Sequence, residues 1–184
     1  MRAFIAVELP DALRQEVAAF QSELGSSGAD VKWVEAGNLH LTLKFLGETG
    51  ENQVGPLKEG LISAALQLSP FTVSLEGIGA FPSTTNPRVV WVGVAQGKEE
   101  LIRLAQTVEQ SCSRLGFAPE ERPFSPHLTI GRLRSRERLA PLIKKLQVAE
   151  LRGGTSTRVD RLILFQSTLS PQGPTYTPLA DIPF

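Results

Sequence analysis

His40-Leu41-Thr42-Leu43 returns 87 residues later as His127-Leu128-Thr129-Ile130, and these two copies hold the only histidines of the chain. Each copy lies in a segment whose residues alternate between apolar and polar. In the first, Leu39, Leu41, Leu43 and Phe45 alternate with Asn38, His40, Thr42 and Lys44. A period of two predicts a strand with one face buried. Residues i and i+2 share a face, so His40 and Thr42 point one way while Leu41 and Leu43 point to a core. His127 and Thr129 stand in the same way over Leu128 and Ile130.

The surroundings of the two copies also repeat. Ahead of the first are a strand over 2–8 and a helix carrying Leu13, Val17, Phe20 and Leu24 on one face, with Asp11 as its N-cap and Gly25 at its end. A short strand follows at Val31 to Val34, then the histidine strand over 38–46. A helix from near Pro56 to Leu68 and a strand over 71–80 come after it, then a turn-rich stretch over 81–87. The second copy has a strand from Arg88 to Ala95 and a helix from Lys98 to Leu115, closed by Gly116. It continues with the strand His127 to Leu133, a short helix marked by Leu139, Leu142 and Leu146, and a strand over 158–169. Strand, helix, strand, helix, strand thus occurs twice. The expected fold is α+β: a single bilobal domain over 1–184, built from pseudo-repeats at about 1–80 and 88–169 with an extended tail at 170–184. Largely antiparallel sheets would line a central groove, with helices outside.

Composition sets limits on function. The chain has 184 residues, of which 41% are hydrophobic and 21% charged, an ordinary globular balance that excludes disorder and coiled coil. Its longest apolar runs, such as Leu162-Ile163-Leu164-Phe165, are too short to span a bilayer. One cysteine excludes a disulfide framework or a thiolate metal cluster. The first residues reach an acid at Glu8 and show no small-residue cleavage site. A cytoplasmic monomer is expected. The net charge is zero, yet residues 1–121 carry nine Lys/Arg against fifteen Asp/Glu, and residues 122–161 carry ten against three. A basic block inside a neutral chain suggests an anionic ligand.

Two imidazoles on facing strands can divide the work of acid and base. A neutral ring takes a proton from an attacking oxygen, and a charged ring gives one to a leaving oxygen. In-line displacement at phosphorus puts attacker and leaving group on opposite sides, which suits such a pair. Thr42 and Thr129 can donate to the non-bridging oxygens. Metal ligation by the two histidines is the rival chemistry. No His-Glu-x-x-His is present, and no carboxylate lies within four residues of either histidine on its strand. No metal and no cofactor are therefore expected. No Gly-Lys-Ser/Thr phosphate loop is present either.

These motifs resemble those of the two-histidine phosphoesterase superfamily, defined by paired His-x-Thr-x motifs. Within it the chain is similar to the RNA 2′,3′-cyclic phosphodiesterases, also called 2′-5′ RNA ligases. The similarity takes in Arg2-Ala3-Phe4-Ile5-Ala6, Trp33-Val34, Asn38 to Gly47, Gly79-Ala80-Phe81-Pro82 and Pro87-Arg88-Val89-Val90-Trp91. It continues through Arg122 to Arg132, Ser167-Thr168-Leu169 and Gly173-Pro174-Thr175-Tyr176. The resemblance implies opening of an RNA 2′,3′-cyclic phosphate to a 2′-phosphomonoester, with His40 protonating the 3′ oxygen and His127 activating water. Spacing alone leaves the two roles interchangeable. RNA ends or small cyclic nucleotides would be the substrates, and the same pair run in reverse would join ends through a 2′-5′ bond. A non-catalytic RNA-binding module is the alternative of a different class. It needs basic residues but no paired histidines.

Other residues are read around this frame. Arg132 lies five residues after His127, which by strict alternation aims it away from the groove, and a bulge at Gly131 would turn it back. The resemblance implies that it contacts phosphate. Phe45 takes the same place after His40 and is either a core residue or a platform for a base. Trp33 and Trp91 are expected in core or rim packing, and Cys112 in the core. Arg134, Arg136, Arg138, Lys144 and Lys145 extend the basic block, either along RNA phosphates or as a solvated face.

Overall fold

Each histidine strand runs antiparallel to a central neighbour in its own sheet. The computed structural model describes residues 1–151 and 154–184, which leaves Arg152 of the basic block outside. The first sheet has the order β3-β1-β8-β9, from β1 (Arg2–Glu8), β3 (His40–Glu48), β8 (Arg161–Ser170) and β9 (Gly173–Pro183). The second has the order β2-β6-β5-β4-β7, from β2 (Val31–Trp33), β4 (Phe71–Ser83), β5 (Asn86–Val94), β6 (His127–Leu133) and β7 (Ser156–Val159). All pairings are antiparallel. Helices α1 (Asp11–Gly25), α2 (Glu51–Ala65), α3 (Lys98–Arg114) and α4 (Leu139–Val148) complete the α+β fold.

The sheets do not follow the two halves of the sequence. β4 closes the first half of the chain but pairs with β5, the first strand of the second half. β8 ends the second half but pairs with β1. Each half thus gives its last strand to the other half's sheet, and one continuous apolar core joins them, with Ile5, Leu41, Leu57, Leu104, Leu128 and Leu164 all buried in it.

Several local expectations change. α1 begins at Asp11 itself with Pro10 as its cap, and no side-chain capping bond is formed. α2 begins at Glu51, five residues before Pro56. Gln53 Oε1 accepts the Gly50 N–H at 2.8 Å and so starts the helix, which then carries Pro56 with the loss of one backbone bond. Asn38 belongs to a single 3-10 turn, Ala36–Asn38, rather than to the strand. The turn-rich stretch at 81–87 is mostly strand: β4 runs to Ser83 and β5 starts at Asn86. The expected strand at 158–169 is two strands in different sheets, divided at Asp160, and the tail forms β9 against β8.

The most consequential difference is one of parity. β3 opposes Ile5 with Lys44 and Ala6 with Thr42, so Leu43 is an extra residue. A second extra residue, Leu46, lies between Phe45, opposite Phe4, and Gly47, opposite Ala3. β6 opposes Val90 with Gly131 and Trp91 with Thr129, so Ile130 is extra. These β-bulges reverse the alternation beyond them. Lys44, expected on the polar face, is instead turned inward and only 2% exposed. Its Nζ donates to Glu109 Oε2 at 2.8 Å and to the Ala118 carbonyl at 2.9 Å. Phe45 is turned outward and is 64% exposed.

Lys44 therefore anchors β3 to α3 and to the loop beyond it. Removing one partner of a buried ion pair strands the other, whereas an apolar residue of similar shape restores packing. Lys44→Ala is expected to lower unfolding stability by about 3 kcal/mol, and Lys44→Met by clearly less, because Glu109 is near enough to water to rehydrate. Urea denaturation checks this, and a Lys44→Ala protein as stable as the parent would show that the pair holds nothing.

Candidate active site

β3 and β6 face each other across a groove between the two sheets. A cavity of about 300 Å³ lies there, lined by His40, Thr42 and Phe45 from β3 and by Thr129 and Arg132 from β6. The bulges explain this set. Thr42 and Phe45 oppose Ala6 and Phe4, and directly opposed residues share a face. Thr129 and Arg132 likewise oppose Trp91 and Val89. The residue that turns the strand is Ile130, one position before the expected Gly131. Gly131 fills the place of Lys44 in the other strand, where a Cβ would come within 2.8 Å of Trp33 and Val31.

His127 is not part of the cavity lining. It is half-buried, its ring edge-on to Phe81 at 5.1 Å and 6.2 Å from Trp91. Trp91 is pressed flat beside Gly79, where a Cβ would lie 2.2 Å from the indole. The Gly79-Ala80-Phe81-Pro82 stretch is thus one wall for His127.

The two rings are fixed by the same device. His40 Nδ1 is 2.9 Å from the Asn38 carbonyl, and His127 Nδ1 is 2.7 Å from the Ser125 carbonyl. A carbonyl only accepts, so each Nδ1 carries the proton and each Nε2 is left to exchange one. Asn38 does more, since its Nδ2 donates to the Pro174 carbonyl at 3.0 Å and ties β9 to the histidine turn.

The environments differ. Phe4, Ala6, Ile163 and Phe165 form a small apolar cluster on the groove side of the first sheet, with Tyr176 packed on it. The His40 ring lies on this floor, 4.8 Å from Phe165 and 5.5 Å from Tyr176, and is only 8% exposed. Burial therefore lowers its pKa from 6.5 to about 4, aided by the Arg14 charge and opposed by the Asn38 carbonyl. Burial also raises the Tyr176 phenol, against the pull of the Arg132 charge.

Sequence reasoning missed this floor, and it missed Gln21. Gln21 is polar on the buried face of α1, beside Val17 and Leu24, and that position was its signal. Its Nε2 donates to the carbonyls of Val34 and Ile130, both at 2.8 Å, and so holds the bulge beside Thr129. Part of the basic block is engaged locally. Arg134 pairs with Asp30 at 3.0 Å, and Arg136 donates to Asn86 Oδ1 at 2.8 Å. Cys112 is a buried core residue whose thiol is pushed up to about 11 by burial. Among the described residues no three His, Cys, Asp or Glu gather as metal ligands would, and no helix is long and apolar enough to cross a membrane.

The model of the 2′-5′ RNA ligase superfamily matches residues 9–169. This chain belongs to that superfamily. It is 43% identical over 181 residues to an RNA 2′,3′-cyclic phosphodiesterase of Archaeoglobus fulgidus, covering 97% of this chain and 98% of the relative. It is 41% identical over 180 residues to a protein of the same name from Methanothermobacter thermautotrophicus, covering 96% and 95%. Its fold superposes on the apo crystal structure of Escherichia coli LigT with a TM-score of 0.80 at 29% identity, over 99% of this chain and 96% of that one.

The His40 shift has a measurable consequence. The unfolded chain takes up a proton on this residue near pH 6.5, and the folded protein not until about pH 4. Between those values the unfolded state binds more protons, so stability is full above 6.5 and falls as pH drops toward 4. The loss attributable to His40 is about 3 kcal/mol. Urea titrations at pH 7 and pH 4.5 are expected to show a smaller fall for His40→Gln than for the parent. Equal falls would mean that His40 is not desolvated.

Proposed function

We propose that the protein hydrolyses RNA 2′,3′-cyclic phosphate ends to 2′-phosphomonoesters, without a metal, using His40 and His127 as an acid–base pair. The observation that carries this reading is the duplicated histidine frame. Two strands carry matching His-x-Thr runs, Thr42 and Thr129 line one cavity, and each ring has its Nδ1 held by the carbonyl two residues earlier. The names of the two relatives above support the substrate.

In this mechanism the phosphate lies between Thr42 and Thr129, whose hydroxyls donate to its non-bridging oxygens, with the planar Arg132 guanidinium beside them. His127 Nε2 takes a proton from water as the water oxygen bonds to phosphorus. The bond from phosphorus to the 3′ oxygen breaks on the far side, and His40 Nε2–H protonates that oxygen. The products are a 2′-phosphate and a free 3′-hydroxyl. A hydroxyl of a second RNA in place of water would give the 2′-5′ joining reaction through the same proton path. Phe45, exposed at the cavity edge, offers a face for a base.

The donor role asks His40 to be charged, while its apolar floor keeps it neutral in an empty groove at neutral pH. The anionic substrate resolves this conflict. A phosphate against the ring favours the imidazolium, so His40 gains its proton as substrate binds.

His40→Ala and His127→Ala are each expected to cut turnover of a 2′,3′-cyclic-ended oligonucleotide by about two to four orders of magnitude. RNA binding and circular dichroism should remain close to the parent's. The parent should keep its rate in EDTA. Near-parental turnover in either variant sinks the pair, and loss of activity on chelation, restored by one divalent ion, sinks the metal-free reading. Retained binding by a protein that never turns over would leave the RNA-binding module.

Arg132→Ala is expected to raise KM, lower kcat, or both, for a combined loss of about tenfold to a hundredfold. Arg132→Lys should recover only part of it, because an ammonium lacks the planar fork. A full-rate Arg132→Ala enzyme would return Arg132 to the solvent-facing surface.

A further inference from the structure

The same cavity has a second end that the phosphodiesterase mechanism leaves unused. Arg2 on β1 lies directly opposite Ser167 on β8. Two residues further along the same strands is the pair Phe4 and Phe165, whose rings stack at 5.2 Å on the groove side. Side chains alternate along both strands, so Arg2 and Ser167 share the groove face with that aromatic pair. Arg2, Ser167 and Gly47 all line the cavity that holds His40, Thr42, Thr129 and Arg132. Gly47 has φ +70, and a Cβ there would meet nothing within 4 Å, so this end is open.

Arg2 has no carboxylate partner among the described residues. Glu48 lies opposite it on β3, but that carboxylate is 3.6 Å from the N-terminal ammonium. Arg2 is exposed to solvent, and its guanidinium, beside a hydroxyl on the wall of the cavity proposed to take the cyclic phosphate, has the fork to receive a second anion. Two residues of strand put it about 7 Å from the aromatic pair. The His40 ring lies on the other side of that pair, 4.8 Å from Phe165 and 6.3 Å from Phe4. One nucleoside therefore fits between the two ends, over Phe4 and the exposed face of Phe45.

We propose that Arg2 and Ser167 form a second anion site, which takes the phosphate on the 5′ side of the nucleoside whose cyclic phosphate meets His40. The proposal rests on the phosphodiesterase reading for the identity of the first phosphate. It makes the preferred substrate an RNA end, or a 5′-phosphorylated nucleotide, over a bare nucleoside 2′,3′-cyclic phosphate. Arg2 touches no reacting atom, so its contribution is to binding.

The test compares adenosine 2′-monophosphate with adenosine 2′,5′-bisphosphate by calorimetry. The parent is expected to bind the bisphosphate about tenfold or more tightly, the value of one charge-assisted contact. Arg2→Gln should bring that ratio close to one, Ser167→Ala should reduce it, and Arg2→Lys should keep part of it. Lys98→Gln, which removes the same charge at an exposed position on α3, should leave it as in the parent. A parental ratio near one, or a ratio unchanged by Arg2→Gln, overturns the site. Turnover of adenosine 2′,3′-cyclic phosphate with and without a 5′-phosphate is measured alongside, and the preference is expected in KM. If the binding ratio depends on Arg2 while neither compound is hydrolysed, the anion site stands and the phosphodiesterase reading falls. If both are hydrolysed with no dependence on Arg2, the second site falls alone.

Discussion

An extra residue three positions after each histidine decides what the groove contains. A strand of strict period two cannot place residues 40, 42 and 45 on one face, nor 127, 129 and 132. Leu43 and Ile130 break the count, at the same distance from their histidines, and both remain in the core. Beyond each bulge the side chains change sides, so Phe45 and Arg132 join the Thr42 and Thr129 hydroxyls. A bulge frees backbone groups that must be bonded elsewhere. The carbonyl of Ile130 accepts from both the Val34 N–H and Gln21 Nε2. On the other strand, the inward turn after Leu43 is held by Lys44 and its bonds to Glu109 and Ala118. Two of the buried polar side chains, Gln21 and Lys44, thus serve the points where the alternation fails.

Desolvation sets the second constraint. His40 is placed against phenylalanines, and that floor suppresses its charge. A neutral ring with its proton on Nδ1 presents a bare Nε2 lone pair, which a phosphate would repel. The same ring with a second proton offers a hydrogen bond and a charge. In the proposed mechanism binding and protonation at this position would be one event, while the apolar floor makes the free protein favour the uncharged form. His127 packs instead against Phe81 and Trp91 and is less buried than His40.

What was legible in the sequence was whatever depends on local period. The helices around Leu13, Leu101 and Leu142, the central strands and the shared face of each His-Thr pair follow from spacing alone. The α+β class followed from the order of those elements. What was hidden depends on which strands pair across the sequence. β4 and β5 form a hairpin around residues 84–85 where a loop was expected, and nothing near Arg161 says that β8 will return to β1. The inward turn of Lys44 was unreadable because a lysine at an alternating polar position looks solvated. The floor beneath His40 was hidden for the same reason. Phe165 and Tyr176 lie on neighbouring strands of a hairpin, but Phe4 lies far from both in sequence, and only the pairing of β1 with β8 brings the three together.

The duplication supplies a symmetric frame, and departures from it make a directional site. At the position after each bulge, one strand has a buried lysine and the other a glycine that admits Trp33. One position further, an aromatic face in β3 answers a guanidinium in β6. One histidine lies on an apolar floor and the other against Phe81 and Trp91. A symmetric pair of imidazoles would bind a phosphate equally well in two orientations, and half of those poses would put the leaving oxygen at the base. Unequal walls remove that ambiguity. In the proposed mechanism a base would be drawn to the Phe45 side and non-bridging phosphate oxygens to the Arg132 side, and His40 would stay neutral until substrate charge arrives. The repeated motif provides the chemistry, and the residues in which the two copies differ give it one direction.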